Sequence, residues 1–490
     1  MWNLGPMAVD NRSERILLVP GIPIASRQRT DYYSLILPVT CLRPRSLPPP
    51  SPRNGDHFLL TFLGQRQTFC DGIPRRSFLK IGAFGAGVTL ADMLRARSAQ
   101  AAPSATAAPG KAKAAIMIYL PGGPSHMDMY DLKPDAPSDF RGEFKPIKTN
   151  VSGVEISEHF PMQAKMFDKL AIVRSLVAND EHSDSYLMTG YTEQVNRAAV
   201  QGAHPSFGSV VSKLRDGAGD IPPFVSLRGM SLGNEPGFLG VAHRAFTPDG
   251  PGLENLRLRG HTAASKMGDR KTLLSSFDTV RRDIDRGTTM AGLDAFTGRA
   301  FDMISSGTVH KALDLKHEDP RTRDRYKHVE PFLQARRLVE AGVGCVTLAY
   351  GSWDTHSSNF KTLKQQLPML DRGIATLIQD LHERGMQDDV VTVCWGEFGR
   401  TPKINSSNAG RDHWSPVMSA MVAGGGLKMG QMVGSSSARG EYAKDRPYKV
   451  PNVLSTLYKA MGIDPSMTFP NGSGRPMYVL EERNLVTELV

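Results

Sequence analysis

Asp354 and His356 stand one residue apart in SWDTH, directly after the apolar run VGCVTLAY at 343–350. A carboxylate and an imidazole at the mouth of a buried strand cost free energy unless a metal ion, a substrate or a helix terminus compensates them. The combination recurs. His126 and Asp128 follow AAIMIYL (114–120) in PGGPSHMDMYD, and Asp180, Glu181, His182 and Asp184 follow LAIVRSLV (170–177). Glu397 follows DVVTVCWG (389–396), and Asp412 and His413 precede MSAMVAGGG (418–426). Oxygen and nitrogen donors in that mixture suit a divalent ion such as Zn, Mn or Fe, and two such ions would clamp a transferring phosphoryl or sulfuryl group. Each motif alone is weak: Asp412 also reads as a helix cap, and an isolated Asp-x-His as a hydrogen-bonded loop pair. Their common place at strand ends is what points to a metal site, with Asp354, His356, Glu397, His413, His126 and Asp128 among its candidate ligands.

Other chemistry lies beside these groups. Arg400 in EFGRTP and Arg411 in GRDHW have the fork geometry to hold an oxyanion, or else to neutralise a neighbouring carboxylate. Ser125, in GGPSH, occupies a Gly-rich turn whose amides could face an anion, although a plain turn explains it as well. Ser183 and Ser185 are the candidate nucleophiles near His182, and neither has an evident activating partner in the sequence.

The elements that would carry these residues are short apolar runs with little polar alternation, as in strands covered on both faces. Between them, VEPFLQARRLVEAG (329–342) and FKTLKQQLPMLDRGIATLIQDLHERG (360–385) repeat apolar residues at spacings of three and four, each feeding into a strand. Pro368 is expected to kink the second. Strand, long helix, strand is a crossover unit, so the expected fold is α/β, a largely parallel sheet covered on both sides. Ligands collect at the carboxyl ends of such strands, where loops converge. Residues 228–328 carry Gly and Pro and then charged helical stretches, and are expected to form a helical insertion or cap. Their run HEDPRTRDRYKH (317–328) reads as a solvated face.

The chain of 490 residues carries a formal net charge of +10, but the excess sits at the front. Residues 1–101 hold 13 Lys or Arg against 6 Asp or Glu, and the rest holds 46 against 43. No nucleic-acid partner is expected from that distribution. PRRSFLKIGAFGAGVTLADML, with the pair Arg75 and Arg76, resembles a twin-arginine export signal and ends near Ala99-Gln100-Ala101, an A-x-A cleavage pattern. Its apolar stretch is too short and Gly-rich for a stable membrane span. The expected organisation is therefore a disordered and spurious upstream extension at 1–59, a signal at 60–101, a linker at 102–113 and one α/β domain at 114–490. Export by the twin-arginine machinery implies a periplasmic or extracellular protein. Removal of the leader leaves Cys345 and Cys394, expected as buried free thiols because neighbouring parallel strands would hold them roughly 13 Å apart.

The motifs PGGPSHMDMYDLKPDAP, RGEFKPI, HFPMQAKMFDKLAIVRSL, HSDSYLMTGY, SWDTH, EFGRTPKIN and GRDHW together resemble the secreted bacterial family known as domain of unknown function 1501, over essentially all of residues 70–490. The resemblance implies a three-layer α/β/α sandwich similar to alkaline phosphatases and sulfatases, with a metal site at the strand ends. It places Asp354 and His356 on the middle ligand motif and His413 on the late His. Glu397 falls where those enzymes keep the Asp of an Asp-His pair, but Phe398 follows and cannot ligate. Two further departures stand out: no C/S-x-P-S-R precedes Met188-Thr189-Gly190, and Gly122-Gly123 replace the Asp pair after the first strand. The implied function is an exported metal-dependent hydrolase of small-molecule or polysaccharide phosphate or sulfate esters, with His126, Asp128 and His182 completing the site or relaying protons. The alternative is a binding protein that kept the sheet and lost the chemistry.

Overall fold

The computed structural model describes residues 112–199, 202–215, 221–230, 232–248 and 307–490. The proposed signal, with Arg75 and Arg76, and most of the 228–328 insertion lie outside the described residues.

Ten strands position the site: β1 (Ala114–Tyr119), β2 (Ala171–Val177), β3 (Phe224–Leu227), β4 (Cys345–Ala349), β5 (Val390–Trp395), β6 (Gly399–Arg400), β7 (His413–Trp414), β8 (Met418–Gly424), β9 (Gln431–Val433) and β10 (Tyr448–Lys449). Eight of them form one sheet in the order β9-β2-β8-β5-β1-β4-β3, with β10 also pairing with β2. All pairings are parallel except those of β8, which runs antiparallel to both β2 and β5. β6 and β7 make a separate small ribbon in which Arg400 faces His413.

Every residue of β1 and β5 is buried, which is why these runs show no polar alternation. Their side chains divide by the period of two. Ile116, Ile118, Val346 and Leu348 enter one core with α2 (Glu330–Glu340) and α3 (Asn359–Glu383). Ala115, Met117, Val391, Val393 and Trp395 enter the other, with α1 (Phe207–Leu214) and α4 (Val450–Ala460). The sheet is therefore covered on both faces, an α/β/α sandwich, as the sequence patterns require. In α3 the buried positions Leu363, Leu367, Leu370, Ile374, Leu377 and Leu381 follow the three-four spacing, and each Leu or Ile so placed contributes about 1.5–3 kcal/mol relative to exposure. Pro368 lies inside this 25-residue helix without ending it.

Four expectations change. Residues 112 and 113, expected at the end of the linker, belong to the domain: Ala112 is buried, its amide donates to Ala460 O at 3.1 Å, and Lys113 N donates to Asp389 O at 2.6 Å, while 102–111 lie outside the described residues. Cys345 and Cys394 are indeed free and buried, but β4 and β5 are not neighbours; they flank β1 and send the two thiols into opposite cores. The 317–328 run is not merely a solvated face. Glu318 accepts from Arg337 at 2.6 Å and Arg384 at 3.2 Å and pairs with the fully buried Arg336 at 2.5 Å, while Tyr326 is buried in the core. The described parts of 228–328 likewise join the main body: Phe246 bridges to Val225, and the helix Thr308–Leu313 packs on α2. No helix of the described residues is long and apolar enough to cross a membrane.

Candidate metal centre

Because β1, β2, β4 and β5 are parallel, the loops leaving them emerge on one edge. The antiparallel β8 begins at that edge, so the segment before it arrives there too. This one reversal brings Asp412 and His413 to the groups that lie beyond the other strands. His182, Asp354 and His413 each offer a ligand atom, all within 4.8 Å of one another. His356 joins them: its Nε2 lies 3.0 Å from His413 Nε2 and 3.0 Å from Asp354 Oδ1, and His413 Nε2 lies 3.1 Å from the same oxygen.

The imidazoles are oriented from behind. His356 Nδ1 is 2.6 Å from Asp412 Oδ1, and His182 Nδ1 is 2.9 Å from Glu397 Oε1. A carboxylate only accepts, so in each ring Nδ1 carries the proton and, in the neutral form, Nε2 turns a lone pair inward. Lone pairs of two imidazoles and a carboxylate oxygen crowd one small volume, and only shared protons or a cation between them relieves the repulsion. Phe398, which cannot ligate, walls the rings in: its centroid is 4.2 Å from that of His413 and 5.4 Å from that of His182.

Beneath this cluster the charge is fixed and dry. Arg400 is fully buried and donates from Nη2 to Asp354 Oδ1 at 2.6 Å, from Nε to Gly123 O at 2.8 Å, from Nη1 to Arg411 O at 2.9 Å and from Nη2 to Gly122 O. Burial pushes the Asp354 carboxyl up, but the hydrogen bonds from Arg400 and His413 outweigh it and hold the group at about 2. Glu397 is 1% exposed and is pushed up by burial, while the amides of Gly122 and Gly123 (2.8 and 3.2 Å) and His182 favour its charged form. Tyr119, also raised by burial, hydrogen-bonds the same carboxylate. The upper side is open: the side chains of His182, Asp354 and His356 are 48%, 41% and 46% exposed.

The chain matches the family described as "Protein of unknown function (DUF1501)" over residues 112–490. It belongs to that family. No curated protein matches the chain by sequence. Solved structures similar to the DUF1501 chain include Ps i-CgsB in complex with k-i-k-neocarrahexaose (11% identical, 73% of this chain and 72% of that one, TM-score 0.33). They also include the lipoteichoic acid synthase LtaP from Listeria monocytogenes (11%, 74% and 74%, 0.31) and the PsFucS1 sulfatase from Pseudoalteromonas sp. (11%, 72% and 68%, 0.32). Likeness at that level carries no argument about activity, so the chemistry of the DUF1501 site has to be argued from its own side chains.

Several expected site residues take other roles here. Glu397, expected as a ligand, has its oxygens taken by two amides and by His182, so it positions an imidazole. His182, expected to complete the site or relay protons, is one of the three donors within 4.8 Å. Asp128 lies in a buried network, bonded by Arg411, Ser125 and Asn359, and His126 Nε2 meets Gly440 O at 2.9 Å. Neither is among the grouped donors. Arg411 is fully buried, spent on Asp128 and on the carbonyls of Thr401, Pro402 and Phe140. Neither arginine therefore presents a fork to a substrate anion. Ser183 Oγ accepts from Ser185 N at 3.1 Å, and Ser185 Oγ donates to Tyr191 O at 3.0 Å, so both hydroxyls shape the turn into a short helix.

Sequence reasoning missed what Gly122 and Gly123 do for the DUF1501 site. Both have positive φ (100° and 71°), and a Cβ would lie 2.5 Å from Asp354 N at the first and 2.3 Å from the Phe398 ring at the second. Two adjacent glycines at a strand end were the available signal: their amides hold Glu397 and their carbonyls hold Arg400.

Proposed function

We propose that this DUF1501 protein is an exported metal-dependent hydrolase of phosphate or sulfate esters. The observation that carries the reading is the convergence of His182, His356 and His413 on Asp354, with two of the rings held at Nδ1 by buried or neighbouring carboxylates. A nitrogen-rich set with one carboxylate fits Zn, Mn or Fe better than Mg or Ca. A divalent ion held there would supply a Lewis acid for the ester oxygen and an acidified water. Asp354 and the imidazoles would hold it, Glu397 and Asp412 fix the tautomers, and Arg400 keeps Asp354 ionised. Among the described residues no Ser, Thr or Cys side chain hydrogen-bonds to His182, Asp354, His356 or His413, which supports water rather than a side chain as the attacking group. The Arg75-Arg76 signal and the A-x-A pattern support export to the periplasm or beyond.

A second reading, a binding protein without turnover, is favoured by Phe398 in a ligand position and by the lack of that nucleophile. One experiment separates them. The chain starting at Ala102 is purified, its metal content measured, and panels of phosphate and sulfate esters assayed beside Asp354→Asn and His356→Ala. Stoichiometric metal and turnover that both variants lose support the hydrolase. Metal-free protein, or turnover indifferent to the variants, sinks it; bound metal without turnover leaves the binding protein.

A further inference from the structure

Asp354 and His356 sit on one loop and Asp412 and His413 on another, and neither loop is a regular element long enough to hold a ligand in place by itself. A site whose ligands drift loses most of its affinity, so something must lock these loops together. The two are stitched backbone to backbone: Ser358 N donates to Asn408 O at 2.9 Å, Asn359 N to Ala409 O at 3.0 Å and Arg411 N to Thr355 O at 3.0 Å. The fit is close enough that a Cβ on Gly410 would lie 1.8 Å from His356 O. Ser358 and Ala409 both adopt positive φ (50° and 52°), a conformation that non-glycine residues hold only where surroundings impose it.

Behind the stitched backbone, a single buried carboxylate is bonded by a residue close after each of these two positions and by a third segment. Asp128 is 1% exposed, and its Oδ2 accepts from Ser125 Oγ at 2.7 Å, Asn359 Nδ2 at 2.9 Å and Arg411 Nε at 2.9 Å, while Oδ1 accepts from Arg411 Nη2 at 3.2 Å. Asn359, fully buried, also accepts from Thr355 Oγ1 at 2.7 Å, the residue between Asp354 and His356. Each donor comes from a different segment: Ser125 from the loop whose glycines hold Glu397, Asn359 from the start of α3 directly after the loop bearing Asp354 and His356, Arg411 from the loop bearing Asp412 and His413. A buried carboxylate with three donors on one oxygen tolerates loss of any of them poorly, because the freed lone pair has no water to turn to.

We propose that Asp128, through Asn359 and Arg411, is the positioning latch of the ligand cluster, fixing the spacing of Asp354 and His356 against Asp412 and His413. The inference rests on the metal-site reading above. Asp128 touches neither ion nor substrate; it acts through the loops.

The probe is Co(II) alone, bound to the chain starting at Ala102, with affinity read by competition against a chromophoric chelator and geometry by the visible d–d bands. Asn359→Ala and the milder Ser125→Ala are compared with wild type, and Asp371→Asn serves as the control: Asp371 is a buried carboxylate whose partners are the amides of Met162 and Gln163. The expected result is a roughly 10–100-fold loss of Co(II) affinity and altered band positions in Asn359→Ala. Ser125→Ala shows a smaller loss in the same direction, and Asp371→Asn lowers the melting temperature with affinity and spectrum unchanged. Wild-type affinity and spectrum in both latch variants, or a loss that follows melting temperature equally in the control, overturns the latch alone. Wild-type protein that binds no Co(II) overturns the metal-site reading and the latch with it.

Discussion

Nδ1 of His182 lies 2.9 Å from Oε1 of Glu397, and that carboxylate is itself pinned by the amides of Gly122 and Gly123. The imidazole is exposed; the group that aims it is not. Such an arrangement separates the two duties of a ligand, reaching the solvent-filled side of the site and holding still.

Glu397→Gln tests that separation. The amide keeps the size of the carboxylate but carries two donors into a pocket already supplied with donors from Gly122, Gly123 and His182, so one hydrogen bond becomes a clash. The expected outcome is a roughly 10–100-fold weaker metal affinity with a folded protein, measured by isothermal titration beside circular dichroism. Unchanged affinity would mean that His182 is not a ligand, or that its ring needs no carboxylate.

Gly123→Ala should damage both stability and the site. The new methyl would meet the Phe398 ring at 2.3 Å while the residue is held at φ +71°, so ring displacement and backbone strain add. Together they cost about 2 kcal/mol or more, visible as a lower urea midpoint. The displaced ring also frees His413, so metal affinity falls with it. A neutral substitution would show that the Gly-Gly turn relaxes without consequence.

The strands were legible because each is a continuous apolar run, and the common edge because a parallel sheet gathers on one side the loops that leave its strands. Less could be read of what each polar group does there. A carboxylate two residues beyond a strand looks the same whether it meets an ion, as expected of Glu397, or the back of an imidazole, as found. Asp128 and Arg411 are far apart in the chain, and only the fold makes them a pair. The Gly122-Gly123 turn read as the loss of an Asp pair, because glycine signals conformation and is silent about the carboxylate its amides will hold. The antiparallel course of β8 was invisible too, since a buried run carries no mark of direction.

Acid should unfold the protein partly through His204, away from the metal cluster. Its ring stacks on Tyr191 at 3.5 Å and 11°, and burial lowers it from 6.5 to about 4. The folded-state value is the depressed one, so between about pH 6.5 and 4 the unfolded chain binds more protons and stability falls as pH falls. Other buried histidines add to the same slope, so the decisive quantity is a difference. His204→Gln should give a shallower decline of melting temperature across that window than wild type, with the two profiles parallel above pH 7. Parallel profiles throughout would show that His204 titrates normally in the folded protein.

Metal should stabilise the fold, and the effect should depend on the rings that crowd Asp354. An ion that binds only the folded chain stabilises it by about 2.7 kcal/mol at a concentration one hundred times its dissociation constant. His356 Nε2, His413 Nε2 and Asp354 Oδ1 lie 3.0–3.1 Å apart, and the proton that His413 donates to Asp354 is what an ion would displace in taking all three as ligands. Chelator-treated protein should therefore melt several degrees higher after addition of Zn or Mn, and Mg should do less because it prefers oxygen. In the double variant His356→Ala, His413→Ala two of the three imidazoles are gone and the shift should vanish, while the melting temperature without metal stays near wild type or rises as the crowding is removed. A shift that persists in the double variant would place the ion elsewhere, and no shift in wild type would leave shared protons as the only cations in the cluster.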